Sequence, residues 1–439
     1  MNLESAKQRI EYLIFAAVIL VPFIFLPFGK YSDFFYAPKV YGLVIIAAMF
    51  IFTLLLSGKN LHYLIRFDLI NLSLLLYLLL LFISLFFALD IKMAIFGRKY
   101  RAEGLIALMS YALLFFAART VEIPGKKLLM GITISATILS IYGIAQYYGF
   151  DPFPRDFIRS DWNRAFTTFG NPNFFGSYLV LVIPVVLHNF VKNKQNMAGI
   201  CYALLIYALV CTLTRGAWIG VGVAIVMYVI LDIFFSSNFK QDMRRIIYVL
   251  LITFLAIFIF NMTTQSIFLN RFQSISKDAQ EIINSGKIES ESEINGSGAT
   301  ESGLARIYIW EKVIELIKER PLTGYGIENL MEPFGEKFGN ESVAKRFGFG
   351  NVTRPPDKAH NEYLNIAVTT GLPSLVIYLF FIIQTLKRSM VTMRQNYIQA
   401  PFVAAILGYI SQAFFNISVV SVAYIFWVFL GLISSYDSE

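Results

Sequence analysis

Long apolar segments separated by short polar ones dominate the sequence. The segment "LINLSLLLYLLLLFISLFFAL" (69–89), for example, carries no charged residue over its whole length. A transmembrane helix needs about 20 such residues, each adding about 1.5 Å of rise. The pattern predicts twelve spans, near residues 11–28, 36–57, 68–89, 104–118, 128–148, 173–190, 197–213, 216–235, 246–262, 361–385, 400–415 and 418–435.

The apolar stretch 197–230 is interpreted as two spans rather than one. Its single charged residue is Arg215. As one helix the stretch would be about 51 Å long, whereas the hydrocarbon core of a bilayer is about 30 Å thick. The chain is therefore expected to cross twice, with a turn at Arg215.

Composition supports a membrane protein. Hydrophobic residues make up 57% of the 439 residues and the mean hydropathy is +0.62, whereas soluble domains are about 45–50% apolar. The N-terminus has basic residues before an apolar core, as a signal peptide does. Because it lacks a small-residue cleavage site, it is interpreted as a retained first span. The predicted fold class is an all-α, polytopic membrane helix bundle with about twelve transmembrane helices.

The distribution of Lys and Arg predicts the orientation. With the N-terminus inside, most of them fall in cytoplasmic segments, as the positive-inside rule requires. On the outer side they cluster in two loops, 90–104 and 151–164, and at Arg215. The positions of these outer arginines are opposite to what the positive-inside rule requires, which indicates that they have a role other than setting topology.

A long polar segment, 263–359, separates the ninth and tenth spans on the outer side. The expected organisation is a bundle of nine spans at 1–262, a large extracytoplasmic loop at 263–359, and three spans at 360–439. The part of the loop at 276–303 is rich in Ser, Glu and Gly. Such a composition cannot bury much apolar surface, so this part is expected to stay flexible.

The later part of the loop, "ARIYIWEKVIELIKERPLTGYG" (305–326), has helical periodicity. It predicts an amphipathic helix near 305–320 that ends before Pro321 and Gly324. The helix is expected to lie on the outer membrane face or on the bundle. Its predicted apolar face consists of Ile307, Trp310, Val313, Ile314 and Ile317.

The chain has three histidines, and their positions differ. His62, in a cytoplasmic loop, and His188, near the inner end of the sixth span, are explained as interfacial residues. His360 ends the large loop and begins the tenth span. Its ordinary pKa of about 6.5 suits a general base near neutral pH. Position alone leaves both a base and an ordinary interfacial residue open for His360.

The outer arginines are candidates for binding an anion. Placing an arginine near the bilayer centre costs about 2.5–3.5 kcal/mol of insertion free energy, so the presence of Arg215 favours a functional role. The alternative is that its side chain snorkels to the interface. A guanidinium offers phosphate a bidentate fork. Arg306 lies at the positive end of its predicted helix, where a cation is mildly unfavourable. Three more outer arginines are expected to contact either substrate phosphates or lipid head groups: Arg98, Arg101 and Arg164.

Several motifs are absent from the sequence. It has no DxD pair, Walker P-loop or HExxH motif, which disfavours a nucleotide-sugar donor, ATP-driven transport and zinc hydrolysis. Cys201 and Cys211 fall in one predicted span without CxxC spacing and are interpreted as packing residues. No metal, cofactor or nucleic-acid partner is expected. Chemistry on an anionic, lipid-linked substrate fits these observations.

Five motifs in order along the chain resemble the O-antigen ligase and O-antigen polymerase superfamily, which includes bacterial pilin oligosaccharyltransferases. His360-Asn361 is followed after nine residues by Gly371-Leu372-Pro373-Ser374, close to the pattern of that family. Ser374 departs from the Gly, Thr or Tyr of the last position. The matching segments are "GRKYRAEGL" (97–105), "TFGNPNFFGSYL" (168–179), "LTRGAWIG" (213–220), "RIYIWEKVIELIKERPLTGYG" (306–326) and "AHNEYL" (359–364).

The resemblance implies a function and roles for individual residues. It implies an inverting glycosyltransferase without a metal, in the bacterial cytoplasmic (inner) membrane, with its active site facing outside. His360 would be the base on an acceptor hydroxyl. Arg215 and Arg306 would bind the diphosphate of a glycan donor linked to undecaprenyl pyrophosphate. Asn361 and Glu362 are candidates for orienting the imidazole or the sugar.

Three functions remain open from the sequence. A ligase would transfer the glycan to another glycan, a glycolipid or a glycoprotein, whereas a polymerase would join repeats that are both carried by undecaprenyl. The large loop holds 12 Lys and Arg against 14 Asp and Glu, so it offers no strong basic patch for a phosphorylated lipid A core. This charge balance mildly favours a polymerase or an acceptor other than lipid A, and the departure at Ser374 slightly favours a polymerase over a ligase. A polytopic anion or solute transporter is the third alternative.

Overall fold

The structure is a computed structural model. It describes residues 2–26, 34–58, 68–121, 125–153, 164–236, 239–270, 273, 303–340, 343 and 354–435. His62 and all but the last residue of the predicted flexible segment 276–303 lie outside these residues.

Helices make up nearly all of the regular structure in the described residues. In the first half of the chain they are α1 (Leu3–Phe15), α2 (Ala37–Ser57), α3 (Leu69–Leu85), α4 (Ile91–Phe96), α5 (Leu105–Arg119), α6 (Gly125–Tyr147), α7 (Pro172–Val191) and α8 (Asn196–Cys211). In the second half they are α9 (Arg215–Phe235), α10 (Phe239–Thr263), α11 (Gly303–Glu319), α12 (Met331–Phe338), α13 (Glu362–Thr370), α14 (Leu372–Thr392), α15 (Ala400–Ala413) and α16 (Ala423–Ile433).

Six of these helices, α2, α6, α7, α9, α10 and α14, are long and apolar enough to cross a membrane. Four shorter apolar helices, α3, α5, α8 and α16, pack with them. The predicted fold class, a polytopic membrane helix bundle, is therefore confirmed. The predicted double crossing is also present, because α8 and α9 are separate helices joined by a turn just before Arg215.

Three predicted spans differ from the observed helices. The span predicted at 11–28 begins earlier, at Leu3, and continues after α1 as a π-helix (Ala16–Leu20) and a 3₁₀ turn (Val21–Phe23). The span predicted at 361–385 consists of α13 and α14, which are separated at Gly371. The span predicted at 418–435 becomes helical only at Ala423. Hydropathy alone did not show these boundaries, because the residues around both breaks are apolar or small.

The centre of the bundle is α7, which is buried along its whole length. It packs against α6, α8, α9 and α15. Helices α9 and α15 approach closely at Gly220 and Gly408, where a Cβ on Gly408 would lie 2.6 Å from the carbonyl oxygen of Gly220. Small residues allow such close approach of membrane helices. This packing brings the start of α9 beside the end of α15.

The break between α13 and α14 is shaped by the chain that follows α11. Gly371 has a φ of +91°, and a Cβ there would lie 2.2 Å from the carbonyl oxygen of Leu322. The backbone N–H of Leu372 donates to the carbonyl of Pro321 at 2.8 Å, and that of Tyr325 donates to Val368 at 3.0 Å. Gly371 thus interrupts the helix, and the break serves to dock the large loop on the bundle.

The predicted amphipathic helix is α11, but its predicted apolar face is partly wrong. Val313 and Ile317 are buried as expected, whereas Ile314 is 42% exposed. Tyr308 and Leu316 are buried instead, in a cluster with side chains of α12 and α13. The face is rotated because α11 packs on these two helices, which the local sequence pattern does not reveal.

Candidate active site

His360 stands immediately before α13, outside the helix. Its φ is +52°, in the left-handed region that residues other than glycine adopt infrequently. The next residue, Asn361, caps α13, since its Oδ1 accepts the backbone N–H of Leu364 at 3.1 Å. Sparsely populated backbone conformations of this kind concentrate at functional sites. His360 is partly buried.

Ion pairs anchor the residues that precede His360. The carboxylate of Asp357 accepts from Nε of Arg101 at 2.7 Å. The ammonium of Lys358 is buried between Glu103, at 2.5 Å, and Glu328, at 2.9 Å. The backbone entering His360 is therefore held from two sides.

The loop between α4 and α5 supplies most of these anchors. Besides Arg101 and Glu103, it contains Arg98, whose Nη2 donates to both carboxylate oxygens of Glu332 at 2.8 and 2.9 Å. Arg98 and Arg101, for which contacts with substrate phosphates or with lipid head groups were both expected, thus have carboxylate partners from the large loop. Their ion pairs connect the loop between α4 and α5 to the large loop.

The two arginines implied by the family resemblance line one cleft. Arg215 is the first residue of α9, and Arg306 lies in the first turn of α11, so both stand at helix N-termini. The cleft has an empty volume of ≈ 310 Å³, including solvent at its mouth. The other residues that line it are Asn173, Thr214, Gly216, Gln412, Phe415 and Asn416.

Hydrogen bonds between polar side chains fix the residues around this cleft. Arg164 is buried and donates from Nε to the carbonyl of Thr212 at 2.8 Å and from Nη2 to Oγ1 of Thr214 at 3.1 Å. It therefore holds the turn that presents Arg215. Gln412 and Asn416 each donate to Oγ of Ser177 at 2.9 Å.

The electrostatic environment keeps His360 neutral. Burial and, after it, the positive charge of Arg306 lower the pKa of His360 to about 4, although the negative charge of Asp357 opposes the shift. A neutral imidazole at physiological pH can accept a proton. His360 is not a lining residue of the arginine cleft, but Arg306, which lines the cleft, is near enough for its charge to act on the imidazole.

Sequence reasoning missed several residues of the site. Glu103, Glu328 and Lys358 were not singled out, nor were the cleft amides Asn173 and Gln412. The signal for the amides was present, because polar residues inside apolar spans are expensive and usually functional. The ion pairs gave no signal, since Glu103 and Lys358 are 255 residues apart.

Of the remaining candidates, His188 lies away from this site. His188 is buried near the opposite end of α7 and is hydrogen-bonded through Nδ1 to Tyr228 at 3.1 Å. Cys201 and Cys211 are free thiols. Within the described ranges, no three His, Cys, Asp or Glu side chains are grouped as a metal site requires.

Comparison with known proteins finds a family match over the part of the chain that contains these site residues. Residues 200–379 match the family model described as O-antigen ligase. A Haemophilus influenzae protein described as uncharacterized is 23% identical over 283 residues, which is 63% of this chain and 63% of the relative. The chain thus spans less than two thirds of that relative's length. The resemblance seen in the sequence is confirmed over the segment that contains Arg215, Arg306 and His360, since residues 200–379 match the O-antigen ligase family model.

Proposed function

We propose that this protein is an O-antigen ligase-type glycosyltransferase that moves a glycan from undecaprenyl pyrophosphate to an acceptor hydroxyl. It would work at the outer face of the bacterial cytoplasmic membrane. The observation that carries the proposal is the convergence of Arg215 and Arg306, from two helices distant in sequence, in one cleft beside His360. The family match of residues 200–379 supports the same class of reaction.

The arginine cleft suits the diphosphate of the donor. Two guanidinium groups can each bind phosphate oxygens with two parallel hydrogen bonds. As the glycosidic bond breaks, negative charge grows on the departing diphosphate, and fixed positive groups stabilise that charge. Because the activated bond arrives with the lipid, the reaction needs no nucleotide on the outer side.

The position of His360 suits a general base. Its neutral imidazole would take the proton of an acceptor hydroxyl while that oxygen attacks the anomeric carbon of the donor. The bond between this carbon and the diphosphate oxygen breaks at the same time, so the lipid diphosphate leaves and the anomeric configuration inverts. Proton transfer to a positioned side chain contributes about 10²- to 10⁴-fold to the rate.

A repeat-unit polymerase is the second candidate. The balance of 12 basic and 14 acidic residues in the large loop offers no strong basic patch for a phosphorylated lipid A core, which favours a polymerase or an acceptor other than lipid A core. Ser374 stands where the family pattern has Gly, Thr or Tyr, and this departure slightly favours a polymerase.

The glycolipids of a deletion strain test this choice. Single repeats left on the carrier lipid would indicate a polymerase, whereas complete polymer left on the carrier would indicate a ligase. An unchanged glycolipid profile would contradict both functions. Complementation with the wild-type chain and with His360→Ala provides the controls, and only the wild-type chain should restore the profile.

A further inference from the structure

A second cavity lies next to the segment that carries His360. Its empty volume is ≈ 540 Å³, including space at its opening. Lys358 and Glu362, which stand two residues before and two residues after His360, both line it. Arg306, the charged neighbour of His360, lines the arginine cleft instead. His360 is therefore flanked by residues of both cavities.

The charge of the second cavity differs from that of the first. Three carboxyl groups line it, from Glu103, Glu328 and Glu362, and the single ammonium of Lys358 is paired with two of them. No positive charge is therefore left in this cavity to attract a diphosphate. The occupant is thus expected to be neutral, whereas the arginine cleft attracts the anion.

Two buried carboxylate oxygens in this cavity lack donors. Among the described residues, Oε2 of Glu328 and Oε2 of Glu362 have no hydrogen-bond partner, although these side chains are only 4% and 7% exposed. The other carboxylate oxygen of Glu362 accepts from the hydroxyl of Tyr378 at 3.0 Å. A buried acceptor without a donor is costly, and a ligand hydroxyl would satisfy it.

Aromatic rings lie next to these carboxylates. Tyr77, Tyr378 and Trp427 line the cavity. The ring centroids of Tyr77 and Trp427 are 6.4 Å apart, and the angle between their ring planes is 26°. The ring centroids of Tyr77 and Tyr378 are 5.4 Å apart. The electron-rich face of an aromatic ring attracts weakly positive C–H groups. Carboxylates beside such rings suit a molecule with both hydroxyl and C–H faces.

We propose that this cavity binds the sugar of the acceptor, a neutral polyhydroxylated ring, and presents its hydroxyl to His360. The inference rests on the proposed transferase function and adds a separate subsite to it. Glu362 and Glu328 accept hydrogen bonds from sugar hydroxyls, and the aromatic rings contact the apolar face of the sugar. Donor diphosphate and acceptor sugar then approach His360 from different cavities.

Two probes test the cavities separately on the purified full-length protein. Inorganic pyrophosphate probes the arginine cleft. Free oligosaccharides probe the acceptor cavity, after mild acid has released them from the carrier lipid and from the finished surface glycolipid of the source cells. Isothermal titration calorimetry measures both. Binding of at least one oligosaccharide is expected, and its affinity should not change in Arg215→Gln.

Isosteric variants locate the oligosaccharide. Glu362→Gln removes the charge but keeps an oxygen for Tyr378, and Thr369→Val removes one cavity hydroxyl with little change of shape. We expect Glu362→Gln to weaken oligosaccharide binding about 10- to 100-fold and to leave pyrophosphate binding unchanged. The control is Glu315→Gln on the exposed side of α11, which should change neither.

The outcomes separate this inference from the function on which it rests. Oligosaccharide affinity that is equal in wild type, Glu362→Gln and Thr369→Val, or no oligosaccharide binding to a protein that binds pyrophosphate, would overturn the acceptor cavity alone. Failure of the wild-type protein to bind pyrophosphate would count against the proposed donor site. If Glu362→Gln does not fold, Thr369→Val decides, with a smaller expected loss.

Discussion

At the scale of single residues, His360 combines a left-handed backbone with a pKa that burial lowers to about 4. The base form is the neutral imidazole, so a lowered pKa extends activity to lower pH. We expect kcat/KM to stay constant from about pH 8 to pH 5 and to fall only as the pH approaches 4. An acid limb near 6.5, the ordinary pKa of histidine, would contradict this environment.

The charge of Arg101 provides a second test of the same pKa. This arginine lowers the pKa of His360, so Arg101→Gln should move the acid limb of kcat/KM to higher pH. The exposed Arg244, which contacts Tyr248 far from the site, gives a matched control. Arg244→Gln should leave the pH profile in place, and equal shifts in both variants would argue against a local effect.

Arg215 and Arg306 are expected to act on the donor rather than on the fold. Loss of charge-assisted hydrogen bonds should weaken pyrophosphate binding about 10- to 100-fold in Arg215→Gln or Arg306→Gln. Lysine in place of either arginine keeps the charge but loses the fork, so it should restore part of the affinity. Calorimetric titration measures both. Unchanged affinity in the glutamine variants would show that the diphosphate binds elsewhere.

At the scale of helices, the break at Gly371 is the feature most sensitive to substitution. Gly371→Ala would place a Cβ 2.2 Å from the carbonyl oxygen of Leu322 at a φ of +91°. We expect it to destabilise the protein by about 1–3 kcal/mol. It should also lower activity, because Gly371 ends α13, and His360 stands just before the start of that helix. Gly222→Ala in α9 meets nothing within 4 Å and should leave thermal stability unchanged or raise it slightly.

The ion pairs of Lys358, two residues before His360, are expected to stabilise the fold. Lys358→Met leaves the buried carboxylates of Glu103 and Glu328 without their cation, which should cost about 3–5 kcal/mol. Thermal unfolding in detergent measures the loss. Glu103→Gln added to Lys358→Met should recover part of the stability, because one uncompensated charge is removed. A double variant as unstable as the single one would contradict the pairing.

Prediction from sequence worked well for helices and poorly for contacts between them. Unbroken apolar runs predicted the positions of the spans, and helical periodicity predicted α11. The exposure of Ile314 and the burial of Tyr308 depend on packing against α12 and α13, which periodicity cannot reveal. The partners of Arg98 and Arg101 lie more than 230 residues away, so a single sequence gave no sign of these ion pairs.

At the scale of the whole molecule, the bundle joins distant parts of the chain at one end. Helices α7, α9 and α15 and the docked α11 contribute to the arginine cleft. Helices α3, α13, α14 and α16 contribute to the carboxylate-lined cavity. The proposed chemistry takes place between these two cavities, at His360.

The most direct test of the proposed transferase function uses purified protein in liposomes that contain the cells' own lipid-linked oligosaccharide and acceptor. We expect release of undecaprenyl pyrophosphate together with an extended or transferred glycan, and loss of both products in His360→Ala. Wild-type activity in His360→Ala, or solute flux by the wild-type protein without these products, would contradict this function.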